Sequence, residues 1–252
     1  MATRDAPTQA LIMRLAANKS ALGLRYAEWG ASTSSPATAS AVTDMALDEH
    51  NHAQTLFALI QDEEPAENPA SSSEPTDITP TPFLCTPLHS WLDLVAANVL
   101  FDNAFTVVLA AAITSTDTAL AAIAAEIVRA EQKHAAYGDG WVRHMGSEGG
   151  PMAHNIEVAL SRCWDEALCW LGPQHDPAAE TLYAAGVLDA MPHVLRARLL
   201  ARIGPAVTAA KLKLPLAPAA RGNTWELTLP LPWERWDDTH WRLNDPHTTT
   251  GA

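Results

Sequence analysis

The sequence predicts an all-α protein, and three observations carry that reading. Ala and Leu dominate a 252-residue chain that is 48% hydrophobic. Glycine is sparse inside the periodic stretches, and β-branched residues never form a long alternating run. At this length the chain can bury a sizeable core, as one large domain or two small ones.

The elements follow in order. Leu11, Leu15, Leu22 and Tyr26 recur at helical steps and predict a first helix over 8–30. The stretch "GASTSSPATAS" (30–40) reads as a turn with capping candidates. Val42, Met45, Leu56 and Ile60 mark a second helix over 41–61, and extending their stripe takes it through Glu49 and His52. Composition then changes. "QDEEPAENPASSSEPTDITPTP" (61–82) is acidic, rich in Pro and Ser and nearly devoid of apolar side chains, which predicts an exposed, mobile connection. Helices resume beyond it, so it reads as a long crossover (61–87) between helices 2 and 3 rather than a domain boundary.

"SWLDLVAANVLFDNAFTVVLAAAITS" (90–115) is the most apolar stretch and approaches membrane-spanning length. Asn98, Asp102 and Asn103 sit at its centre, where one acid alone would cost about 3 kcal/mol in a bilayer. A buried helix of a water-soluble protein is the better reading, and it makes Asp102 a puzzle, because an unpaired buried carboxylate is expensive. A fourth helix follows over 117–145, with two more near 151–171 and 187–212. The last forty residues carry Pro215, Pro218, Pro230, Pro232 and four tryptophans and read as an extended tail packed on the bundle. The organisation expected is a helical domain over 1–212 and a tail over 213–252.

Charge and cysteines exclude several function classes. A net charge of −13 would repel nucleic acid and anionic membranes. Cys85, Cys163 and Cys169 show neither CxxC nor zinc-ligand spacing and read as reduced thiols of a cytoplasmic protein. The N-terminus lacks the apolar run and cleavage site of a secretory signal. Gly146, Gly149 and Gly150 form no phosphate-binding fingerprint, and nothing resembles a nucleotide or flavin motif. Arg196, Arg198, Arg202, Lys211 and Lys213 make the late helix basic, as a solvated face or a contact for phosphates or a partner subunit.

The chemistry is carried by a repeated spacing. Glu49 and His52 stand three residues apart, and Glu131 and His134 repeat the pattern. On a helix such residues differ by about 60° in azimuth, so carboxylate and imidazole can bind one ion from one face. Each pair also follows a helix with a candidate acid: Glu28 lies 21 residues before Glu49, and Asp102 lies 29 before Glu131. Two lone carboxylates and two Glu-x-x-His motifs are the ligand set of ferritin-like di-iron carboxylate bundles. Oxygen donors with imidazole suit iron or manganese, and the absence of thiolate argues against structural zinc. The expected metal ligands are Glu28, Glu49, His52, Asp102, Glu131 and His134, holding two iron ions or manganese. The bland alternatives are solvated faces: Glu28 paired with Arg25, Glu49 and His52 with Asp48 and His50, Glu131 and His134 with Gln132 and Lys133. His50 lies roughly 200° around the helix from His52 and is not expected to be a ligand.

These segments also carry a resemblance. "RYAEW", "LDEHNHAQ", "FDNAF" and "EQKHAAYGDGW", in this order, resemble the ferritin-like subunits of bacterial multicomponent phenylacetyl-CoA epoxidases, over residues 10–205 and more weakly in the tail. That family pairs a catalytic di-iron subunit with a related subunit that has largely lost the site. "RYAEW" and "ALDEHNHAQ" are similar to the non-catalytic sibling, whereas the ligand set matches the catalytic one; Asn51 departs from the glycine usual before the histidine. The resemblance implies a ferritin-like four-helix bundle with extra C-terminal helices and an extended Pro/Trp-rich tail. It implies a di-iron monooxygenase that activates O₂ to epoxidize or hydroxylate the aromatic ring of an aryl-CoA thioester. Two electrons must come from a separate flavin/iron–sulfur reductase, since this chain has neither fingerprint. A sibling ferritin-like subunit is the other expected partner, with no nucleic acid and no membrane. The alternatives are a non-catalytic scaffold subunit, or another ferritin-like chemistry such as a ferroxidase, manganese catalase or RNA hydroxylase.

Overall fold

Asp5 starts the first helix. Its carboxylate accepts the Thr8 backbone N–H at 2.9 Å, and Pro7 occupies the first turn, where no intrahelical N–H is needed. The computed structural model describes residues 4–61, 78–220 and 224–244. Helix α1 (Ala6–Ser32) and helix α2 (Pro36–Gln61) are joined by three residues, so α2 folds back along α1 as an antiparallel hairpin. Gly23 lets the two helices approach closely: a Cβ there would stand 3.0 Å from the Glu49 Cβ. Most of the predicted crossover, residues 62–77, lies outside the described residues.

The chain returns through a short helix α3 (Pro82–Cys85) that the sequence reading did not anticipate. Its start is tied to the bundle at several points. The Thr81 backbone N–H donates to Asn18 Oδ1 at 2.9 Å, the Phe83 N–H donates to Glu166 Oε1 at 2.9 Å, and the Thr81 hydroxyl also bonds Glu166.

The apolar stretch forms α4 (Trp91–Ala97), a single π-helical segment (Asn98–Asp102) and α5 (Asn103–Ala111). By length and composition it could cross a membrane, yet 94% of that window is buried inside the protein. The π segment widens one turn, and polar side chains take up carbonyls there. Asn103 Nδ2 donates to Val99 O at 3.0 Å, and the Thr106 hydroxyl donates to Asp102 O at 2.8 Å. Helix α6 (Thr118–Glu148) begins at Asp117, whose Oδ1 accepts the N–H groups of Ala119 and Leu120 and whose carboxylate also pairs with Arg4.

These helices make the all-α, ferritin-like bundle that the sequence predicts, with α1 and α2 facing α4, α5 and α6 across one apolar core. Helices α7 (Gly150–Cys169) and α9 (Pro192–Ala209) flank it, and α8 (Pro177–Ala184) is an addition to the sequence expectation. Beyond α9 the described residues form two small antiparallel ribbons. Strands β1 (Leu216–Pro218) and β2 (Trp225–Leu227) lie against α9; β3 (Trp236–Asp237) pairs with β4 (Arg242–Leu243), which touches α7.

Candidate functional site

Four helices aim titratable side chains at one point in the core. Helix α2 contributes Glu49, the π segment Asp102, and α6 Glu131 and His134; all four are at most 2% exposed. One ligand atom from each can be chosen so that all lie within 4.8 Å of one another, a group that could hold a metal ion. Helix α1 contributes something else. Lys19, fully buried, places its ammonium among the carboxylates, donating to Glu131 Oε1 at 2.6 Å, Asp102 Oδ1 at 2.7 Å and Glu49 Oε1 at 3.0 Å.

The remaining contacts complete the network. Asp102 Oδ2 accepts from the Tyr26 hydroxyl at 3.1 Å, and Tyr26 in turn accepts from Asn98 Nδ2 at 2.9 Å. Gly138 on α6 makes room for that asparagine, because a Cβ there would collide with Asn98 Oδ1. His134 Nδ1 lies 3.0 Å from Glu131 Oε2 and 3.2 Å from both Asp102 Oδ2 and Glu49 Oε1. Its Nε2 faces Asp48 at 3.1 Å, and the exposed Lys133 pairs with the same Asp48 oxygen.

The electrostatics follow from burial and charge together. Burial alone would lower the Lys19 pKa, but Asp102, Glu131 and Glu49 outweigh it and hold it well above the ordinary lysine value. His134 behaves alike: burial opposes its charge, yet hydrogen bonds to Asp102, Glu131 and Glu49 push it up to about 12. Burial raises Glu131 as well, but Lys19 and the two histidines prevail and bring it well below the usual range. Glu49 goes the other way, pushed well up by burial and by the charges of Asp102 and Glu131. Lys19 and His134 are thus held toward their charged forms beside the carboxylates, while Glu49 is pushed toward its neutral form.

The expected ligands divide. Glu49, Asp102, Glu131 and His134 meet. His52 reaches the rim, its Nδ1 3.0 Å from Glu131 Oε1 and its side chain 12% exposed. Glu28 stays outside: its side chain is 39% exposed and pairs with Arg25 at 3.0 Å, the bland alternative of the sequence reading. Its position on α1 explains this, since Glu28 is two residues from the inward Tyr26 and so about 200° around the helix. Lys19, seven residues before Tyr26, falls within about 20° of it and points inward. The sequence reading missed Lys19 although its own stripe of Leu15, Leu22 and Tyr26 passes beside it. A pair of metal ions does not fit this donor set with Lys19 in place, because the ammonium stands where the three carboxylate oxygens converge and α1 supplies no acid.

Of the basic group noted in the sequence, the three arginines on α9 make contacts within the chain. Arg196 is buried, lies over the Trp233 ring and bonds the Gly172 carbonyl; Arg198 pairs with Asp189; Arg202 donates to Asn103 Oδ1 at 2.9 Å. His50 is exposed, as expected of a non-ligand.

No curated protein matches this chain. The model of one family, described as phenylacetic acid catabolic protein, matches residues 1–226, from α1 to the start of the second ribbon strand. That span holds every member of the buried cluster, and on its extent the chain belongs to the phenylacetic acid catabolic protein family.

Proposed function

We propose that this chain is a non-catalytic ferritin-like subunit of a multicomponent oxygenase of phenylacetate catabolism, supporting a catalytic sibling. One observation carries the reading: the Lys19 ammonium, bonded within 3.0 Å to Glu49, Asp102 and Glu131, supplies the positive charge that keeps those carboxylates buried. A lysine does this without redox chemistry. The bundle keeps the polar centre that sets the mutual positions of its helices, which is a role open to buried ion networks. The family supports the pathway and makes partner subunits a reasonable expectation.

A second reading keeps the chain as the di-iron monooxygenase, epoxidizing the ring of an aryl-CoA thioester with electrons from a separate reductase. The convergence of Glu49, Asp102, Glu131 and His134 favours it. It requires Lys19 to leave the cluster and a second ion to bind without Glu28.

Anaerobic reconstitution of the purified chain with Fe(II) separates the two. The scaffold reading expects no stoichiometric iron in a folded protein, together with higher oxygenase turnover when the metal-free chain is added to a catalytic subunit of the same family. About two irons per chain, with an oxo-bridged absorption band after O₂ is admitted, would replace it with the oxygenase reading.

A further inference from the structure

Arg14, on α1 five residues before Lys19, is half-buried and bonds to no acceptor among the described residues. Its guanidinium carbon lies over the indole of Trp241, 3.7 Å from the ring centroid. That indole is fixed from behind: its Nε1 donates to Trp170 O at 2.7 Å, and its edge lies against Gly172, where a Cβ would stand 2.8 Å away. Arg14 and Trp241 form the shared wall of two spaces. One is a small, mostly apolar pocket of about 30 Å³ bounded by Leu11, Val108 and Leu188. The other is an open cleft of about 440 Å³ between α1, the start of α8 and the β3–β4 turn.

A guanidinium carries five N–H donors, and this one, packed over an indole, meets no accepting oxygen among the described residues. Burial brings its pKa down to about 10, with Asp176 acting in the opposite sense. Asp176 does not close an ion pair with it. One of its oxygens, Oδ2, is occupied at the start of α8, accepting the Ala179 N–H at 2.6 Å. The other titratable groups of the cleft are Asp238, which is exposed, and His240, whose Nδ1 lies 2.8 Å from Asp237. Ala10, Ile78, Pro177 and Ala178 add an apolar lip.

We propose that this cleft is a binding site for a small organic monocarboxylate, its carboxylate held by the free edge of Arg14 and its apolar part lying along Trp241 and Pro177. A planar carboxylate matches the fork of a guanidinium in a bidentate pair. The cleft has the size of small-molecule sites. Asp176 and Asp238 disfavour a doubly charged anion such as phosphate, so the site selects a single negative charge. This inference rests on Arg14 and Trp241 alone and is independent of what occupies the bundle centre.

The test uses the full chain and 4-fluorobenzoate, followed by ¹⁹F line broadening, with inorganic phosphate as competitor. Saturable binding is expected, unaffected by equimolar phosphate. Arg14→Gln should weaken it at least about tenfold, the worth of one lost charge-assisted bond. Asp238→Asn, at an exposed position with no threat to the fold, should tighten it about two- to fivefold by removing a like charge. Non-saturable broadening, equal binding by Arg14→Gln, or an unchanged affinity in Asp238→Asn would each overturn the proposal.

Discussion

The two helical hairpins of the bundle look alike in sequence, each with an acid in the first helix and Glu-x-x-His in the second, and they use those residues differently. In the α4–α5/α6 hairpin all three, Asp102, Glu131 and His134, are buried at the centre. In the α1/α2 hairpin Glu49 is buried, His52 reaches the rim, and Glu28 faces outward beside Arg25 while Lys19 takes the inward place. A motif written as spacing records the distance between residues along a chain. It does not record the phase of each helix relative to the core, and that phase decides whether a carboxylate becomes a ligand or a surface group.

The largest expected effect comes from removing the element that sets the hairpins apart. Lys19→Met would take the ammonium from Glu49, Asp102 and Glu131 and should cost about 3–5 kcal/mol in denaturant unfolding, as for one partner lost from a buried ion pair. A Lys19→Met variant as stable as the parent would break the comparison, since α1 would then contribute nothing to the charge balance. Partial recovery of the melting temperature with a divalent cation would sharpen it, showing that the carboxylates accept a metal once the ammonium is gone.

His134 offers the next test. His134 is raised from 6.5 to about 12, so the folded state holds a proton that the unfolded state loses across that interval. Its stabilisation is complete below about pH 6.5 and declines as pH rises toward 12, by at most about 1.4 kcal/mol per pH unit. His134→Gln should flatten the fall in stability between pH 7 and 9. An unchanged slope in that variant would mean that the buried place of His134 does not set its charge.

Smaller effects are expected away from the charges. Gly138→Ala pushes a methyl group into Asn98, which carries the bond to Tyr26, and should cost about 1–3 kcal/mol through forced repacking of the π segment. Glu28→Gln removes only an exposed partner of Arg25 and should shift unfolding by no more than about 0.5 kcal/mol. A larger loss would place Glu28 in a role that its outward position does not give it.

Much of this was legible in the chain. The helices of the bundle were readable because their apolar stripes repeat at the helical period over many turns: the stretch predicted over 8–30 forms Ala6–Ser32, and that over 117–145 forms Thr118–Glu148. The short α3 and α8 were not, since helices of four and eight residues show too few periods for a stripe. Asp102 could be marked as important because a lone acid in an apolar run needs compensation. The spacing of acids did not reveal the Lys19 ammonium beside it, which lies on the same face of α1 as Tyr26. The rotation that separates Lys19 from Glu28 is contained in the sequence numbering and needed only the helical period applied to both.

The sequence by itself determined the fold class, the burial of the Asp102 helix and the inward faces of Glu49, Glu131 and His134, because each of these depends on the pattern within one segment. Only the tertiary structure decided that the Lys19 ammonium sits among those carboxylates, that the π segment turns Asp102 toward Tyr26, and that Trp241 comes to lie under Arg14. Such pairings join residues as far apart as 112 and 227 positions, from Lys19 to Glu131 and from Arg14 to Trp241. Which charge meets which is settled by how the helices and the tail pack around one core, where a carboxylate left without a partner would be costly enough to shape the packing.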